Sequence, residues 1–306
     1  NRAIAILGTT NGVDADLSNN TASDQTPVAG LPTPMPTPFT TPTVVPTLII
    51  PPDPGDRLPV TTVPATITTD STWEAGNVYI ISGLVTVNSG VHLTLQPGVV
   101  VKFQNNGTTA GKLMMNGTIT AVGTDAARII FTSIHDDAYG GDTNNNGNAT
   151  QPAASNWDNI TLSSTASGSA FENVRILYGG KTDANLLVNG ASVSFNNSLS
   201  QWSGMDGLRW INGASGNIAN NLIINNIRHG ISLVTSSQPA VHGNLIAHNR
   251  DYAVSIDGTS QADFVDNLVY GNTNNGISVS GTLATGTWTS NIDYIVTQNL
   301  ILESTD

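Results

Sequence analysis

The feature that most limits what this chain can become is a repeat of 23 residues in its second half. Leu208, Ile231, Val254 and Ile277 follow one another at that spacing; Gly207, Gly230 and Gly276 precede three of them and Ala253 the other. A second series, asparagine leading into an aliphatic residue, runs through Asn173, Asn197, Asn221, Asn244 and Asn267 at intervals of 24, 24, 23 and 23, and Asn299 continues it after 32. Two series that hold register over four turns define a unit near 23 residues. Units of that size stack on one another, because none can bury its apolar side alone.

The residues between the repeat marks say what kind of unit it is. YIISGLVTV, HLTLQPGVVVKF, KLMMNGTITAVG and RIIFTS read as successive strand–turn units with alternating apolar positions. Leucine-rich repeats share the length, but their dense leucine pattern is missing. Three short parallel strands with three turns fill 23 residues. Inward aliphatic side chains then form ladders, and turn asparagines stack as a hydrogen-bonded ladder of their own. The phrases VTVNSGVHLTLQPGVVVKF, GTITAVGT, the GG-DTN turn and NWDNITL carry a family likeness. Through them, Trp73–Gly180 resembles secreted bacterial right-handed β-helix proteins of the pectate-lyase-like superfamily, and the repeats after Asn185 resemble the generic repeat of that group. The resemblance implies an all-β, right-handed parallel β-helix solenoid. It implies no activity, since the scaffold carries lyases, hydrolases, adhesins and passive stalks alike.

Ahead of the coil the chain changes character. Residues 1–26 form a strand-bearing segment opening on the apolar run Ala3, Ile4, Ala5, Ile6 and Leu7. Residues 27–71 form a Pro/Thr-rich arm, with twelve of the fifteen prolines between positions 27 and 64. Proline removes donors and fixes φ, so this stretch is expected to be an extended polyproline-like arm. The β-helix domain is expected over 72–306.

Charge and composition remove several classes of function. Charged residues are 10% of the chain, against about 25% in ordinary domains; Asn, Thr, Ser and Gly take their place. The net charge is −12 and the only lysines are Lys102, Lys112 and Lys181, so binding nucleic acid by neutralising phosphates is excluded. There is no cysteine, hence no disulfide, thiolate metal site or thiol nucleophile. No apolar run is long enough to span a bilayer. A first residue other than Met fits a mature chain whose leader has been removed, and the expected location is extracellular or cell-surface. Sequons at Asn19, Asn106, Asn116, Asn148, Asn159 and Asn196 permit glycosylation.

Catalytic signatures are thin. Pectin-degrading relatives use clustered aspartates with basic partners. Here Asp257 lies three residues beyond Val254, but Ile211, Val234 and Ser280 occupy the equivalent places, so no carboxylate column is expected. Arg228-His229-Gly230 is similar to the histidine motif of polygalacturonase-like hydrolases. The accompanying Arg-x-Lys is absent, and His229 is read as an exposed turn residue. The best ligand candidate is DDAYGGDTNNNGNAT, in which Asp142, Asn144 and Asn146 with Gly147 match the first half of a calcium loop. Ala153 stands where the closing Glu should be, and Asp136 or Asp137 would substitute for it. The same stretch also reads as an ion-free Asn/Gly surface turn.

The functional expectation is a structural subunit of an extracellular filament or surface assembly. It would polymerise head to tail with copies of itself, residues 3–7 adding a strand to a neighbour. A monomeric adhesin or carbohydrate-binding β-helix, with glycans as partners, is the alternative. A polysaccharide lyase or hydrolase ranks last.

Overall fold

A computed structural model describes residues 57–105, 109–283 and 290–302. The apolar run at residues 3–7, most of the arm, and the sequons Asn19 and Asn106 lie outside the described residues. Among the described residues, no helix is long and apolar enough to cross a membrane.

Each turn of the coil contributes one strand to each of three parallel sheets. Among the described residues, sheet 1 has nine strands, from Val60–Thr62 to Leu268–Tyr270. Sheet 2 has ten, from Thr66–Ile67 to Tyr294–Leu302, and sheet 3 has eight, from Ser71–Trp73 to Asp263–Val265. Strands of successive turns are neighbours, and every pairing between them is parallel. Leu208, Ile231, Val254 and Ile277 are paired in one column of sheet 2 and are fully buried, as the repeat predicts. Aromatic pairs pack the wider early turns. Phe103 and Trp157 stack at 3.9 Å, and Phe171 bridges Phe131 and Phe195 at 6.2 and 6.4 Å.

The glycines before Leu208 and Ile231 have a steric cause. A Cβ on Gly207 would lie 2.6 Å from Asn226 Nδ2, and one on Gly230 would lie 2.9 Å from Asn249 Nδ2. Those two amides belong to a ladder that the sequence reading missed. Ser203, Asn226, Asn249 and Asn272 recur every 23 residues. The backbone N–H of each donates to the next side chain along, at 2.9, 3.1 and 3.0 Å.

The expected asparagine ladder is present but shifted at its ends. Its members are Ser198, Asn221, Asn244, Asn267 and Asn291, linked by backbone N–H donation to the following side chain at 2.9 to 3.2 Å. Asn173 and Asn197 stand one position earlier, with φ of 51° and 50°, in the column of Asn220, Gly243 and Asp266, which all have positive φ. Asparagine tolerates that left-handed conformation, so two adjacent columns draw on the same residue type and the 24-residue steps mixed them. Asn299 lies within the last strand of sheet 2, and Asn291 continues the ladder in its place.

The coil also starts earlier than residue 72. Val60–Thr62 pairs with the strand Val78–Ile81, and Thr66–Ile67 with Leu84–Val87. Pro59 and Pro64 flank the first of these strands. Proline is tolerated beside the end strand of a sheet, and this hid the first turn inside the proline-rich stretch.

The ladder gives a direct test. Asn244 Oδ1 accepts from Asn221, while its Nδ2 donates to Ile218 O and to Asn267 Oδ1. Asn244→Ala is expected to cost about 2–4 kcal/mol in chemical denaturation, since it leaves buried groups unpaired. Asn189→Ala, which removes an exposed contact to Asn212, is expected to change stability by less than about 0.5 kcal/mol.

Candidate functional site

Two polar clusters stand out, both in the turns that carry the chain from sheet 1 to sheet 2. The first is the long excursion between Ser133 and Ile160, where every candidate calcium residue falls. Ile134 and Tyr139 from this loop, with Leu58, cover Val78, Ile80, Val100 and Ile130 on the outer face of sheet 1. Arg57 ties the incoming chain to the same loop through Asn145, and Leu58 N–H donates to Gly140 O at 3.3 Å.

Lys102 lies on this covered face and is fully buried, with Nζ donating to Gly141 O at 2.7 Å. Burial lowers its pKa to about 8, against the pull of Asp136, Asp137 and Asp142. Asp136 is buried and fully used by the protein: Thr132 Oγ1 donates to it at 2.6 Å and Ala138 N–H at 3.2 Å. Its pKa is raised, first by burial. Asp137 is also raised, by burial and then by the Asp142 carboxylate. Asp142 is lowered, chiefly because Gly147 N–H donates to it, at 2.8 Å; Asn146 N–H does so at 3.2 Å. The structure therefore brings Asp137, Asp142, Asn144 and Asn146 into one loop and assigns Asp136 to internal hydrogen bonds. Among the described residues, no three His, Cys, Asp or Glu side chains converge as metal ligands, so any cation here would rely on amide oxygens as well.

The second cluster gathers charged groups without forming a column of carboxylates, since Asp206 pairs with Ala184. Asp183, Asp206, His229 and Asp251 come from four successive turns at the entry to sheet 2. Asp206 N–H donates to Asp183 O at 3.2 Å, and His229 N–H to Asp206 Oδ1 at 3.2 Å. Arg228 Nε lies 3.5 Å from Asp206, Arg209 pairs with Asp183 at 3.1 Å, and His229 Nδ1 is 3.5 Å from Asp251. Asp206 is fully buried and its pKa is raised to about 6, by burial first, against the nearby Arg228. His229 is buried rather than exposed, and burial lowers its pKa. Asp206 Oδ2 and Arg209 Nε are buried without hydrogen-bond partners. The steps of 23 from Asp183 to Asp206 to His229 were in the sequence. They were missed because the comparison was anchored at the strand ends near Asp257 instead of the strand starts.

An aromatic stack sits at the other side of the same turns. Tyr178 and Trp202 stack at 4.7 Å with planes 16° apart, and Trp202 is 37% exposed. Both occupy left-handed positions, with φ of 66° and 53°, which turns their rings along the coil. Of the sequons, Asn148 is exposed, while Asn116 and Asn196 are half-buried. Asn159 is buried and accepts from Thr161 Oγ1 at 2.6 Å, so the folded chain withholds it from glycosylation.

Residues 121–293 match the family described as a right-handed beta helix region. No curated protein and no solved structure matches the chain.

The buried Asp206 sets a pH dependence with a definite sign. Its folded pKa of about 6 stands above the ordinary 3.8. The folded chain thus holds the proton more tightly, and this group's contribution to stability falls as pH rises through that window. Asp206→Asn keeps an oxygen for His229 N–H. The variant is expected to be more stable than the parent near neutral pH, by about 1–3 kcal/mol. In thermal melts the gap should close at the acid end of the window.

Proposed function

The chain belongs to the right-handed β-helix family, and on that scaffold we propose that it is a structural subunit of an extracellular assembly, associating with copies of itself. The observation that carries this reading is the outer face of sheet 1. In the early turns the excursion loop covers that face. In the later turns the outward positions are Leu199, Leu222, Leu245 and Leu268, paired in one column. Ile224, Ala247 and Tyr270 pair in the next outward column. Leu268 and Tyr270 are 39% and 46% exposed. A continuous aliphatic column pointing outward is the kind of surface that another chain covers. In this reading the cover comes from a neighbouring subunit, whose residues 3–7 and Pro/Thr-rich arm supply the added segment.

Sedimentation of the full chain tests this. Mass is expected to rise with concentration. Leu222→Thr, Leu245→Thr and Leu268→Thr together should weaken association at least about tenfold without altering the circular dichroism of the coil. Deleting residues 1–30 should likewise give a folded monomer. A full chain that stays monomeric throughout overturns the reading, and filaments formed by the deleted protein overturn the donated arm.

A second reading is favoured by the turn that holds both the acid corner and the aromatic stack. Asp206, whose pKa burial raises to about 6, and Asp183 sit on adjacent turns, and two carboxyl groups with one held up in pKa are the equipment that cleaves glycosidic bonds. The exposed Trp202 ring would seat a sugar beside them. Release of reducing or unsaturated ends from uronans, abolished in Asp206→Asn and weakened in Trp202→Ala, would establish it. The absence of both turnover and binding would dismiss it.

A further inference from the structure

The excursion loop contains oxygens that the protein does not use. Asp137 Oδ1, Thr143 Oγ1, Asn144 Oδ1 and Asn146 Oδ1 are all withdrawn from solvent and have no hydrogen-bond partner among the described residues. Thr143 as a whole is only 8% exposed. The two amides are held in a definite orientation. Asn144 Nδ2 donates to Ile134 O at 3.2 Å and Asn146 Nδ2 to Thr150 Oγ1 at 2.8 Å, which leaves the oxygen ends unpaired. One such oxygen costs about 1–3 kcal/mol. Four from one loop point to a missing partner, because buried polar atoms in folded proteins are nearly always satisfied.

The chemistry of that partner follows from the set. Three of the four are carboxylate or amide oxygens, which only accept, so the partner must offer positive charge or several donors. Asp136, Asp137 and Asp142 stand against Lys102 and Arg57, leaving one negative charge in excess. Lys102 is balanced chiefly by Asp136, which is also the carboxylate already filled by Thr132 and Ala138. Asp142 accepts the N–H groups of Asn146 and Gly147, and Asp137 is the carboxylate with an oxygen left over. Oxygen-only donors with excess negative charge select a hard cation. The alternation Asp142, Asn144, Asn146 with Gly147 next, at φ 58°, is the spacing at which side chains converge on calcium. Magnesium asks for stricter octahedral geometry and keeps more of its water.

We infer that this loop binds one calcium ion through Asp137, Asp142, Asn144 and Asn146, with Asp137 supplying from the N-terminal side the second carboxylate that Ala153 cannot. The ion would fasten the loop over the outer face of sheet 1, where Ile134 and Tyr139 already pack. It is independent of how the subunit associates.

The full chain, stripped with a chelator, is titrated with calcium chloride or magnesium chloride by calorimetry and by thermal melting. One calcium per chain is expected, with a melting temperature raised by roughly 5 °C at saturation and a smaller response to magnesium. Asp142 also accepts the N–H groups that shape the loop, so the diagnostic variants are Asp137→Asn and Asn144→Ala. In chelator Asp137→Asn should melt like the parent and Asn144→Ala, which also gives up its bond to Ile134 O, somewhat lower; both should lose the calcium-dependent rise. A melting temperature indifferent to calcium, or a calcium response that survives both substitutions, overturns the inference.

Discussion

The fold depends on side-chain amides doing the work of backbone at its corners. In a stack of parallel strands the ladder bonds lapse wherever the chain turns, and a buried N–H with no partner is expensive. The three-residue strand Leu222–Ile224 shows the remedy: Asn221 stands immediately before it and Asn226 two residues after it. Each amide accepts a backbone N–H from the turn before, and each donates back to a carbonyl of that turn. Two columns of amides thus bracket the strands of sheet 1 and hold them short. Everything placed in the adjoining turn, including the acid corner, inherits its position from those columns.

The repeat made the coil legible because a column of identical roles leaves a constant interval. It worked best where the role admits few residue types, as with the aliphatic marks ending at Ile277 and the glycines pressed against Asn226 and Asn249. It failed where one residue type serves two neighbouring columns. Asn197 and Asn221 look like one series, but the first meets a backbone angle and the second meets a hydrogen-bond deficit. The acid corner was less legible for a different reason. Asp183 and Asp206 match, but His229 and Asp251 break the series in type and in step, so two aspartates 23 apart carry little signal. Their environment, not their identity, makes them a cluster. The excursion loop is a third case. Its spacing could be read from residues 142–147, whereas the exclusion of Asp136 required seeing Thr132 and Ala138 spend its oxygens.

The two ends of sheet 1 solve one problem by different means. Its outward positions are largely apolar, from Val78 and Ile80 to Leu268 and Tyr270, with Lys102, Thr132, Arg175 and Gln201 among them. Over the first turns the chain supplies its own cover from the loop that follows Ser133. That cover brings polar groups with it, and Lys102 with its carboxylates lies beneath the lid. Over the later turns the same face carries the leucine column. The contrast divides the outer face of sheet 1 into a closed portion and an open one along a single axis.

The later turns have one more property, which follows from the column of Leu208, Ile231, Val254 and Ile277. Each contributes the same inward side-chain class, a pair of polar brackets (Ser198 and Ser203 in the first, asparagines in the rest) and the same near-glycine corner, so the turns are close to interchangeable parts. Duplicating or excising one unit would return every column to register, whereas a change of a few residues would break all of them at once. The length of the coil is therefore inherited as a whole number of turns, and selection can lengthen or shorten the reach of the molecule without redesigning its interior.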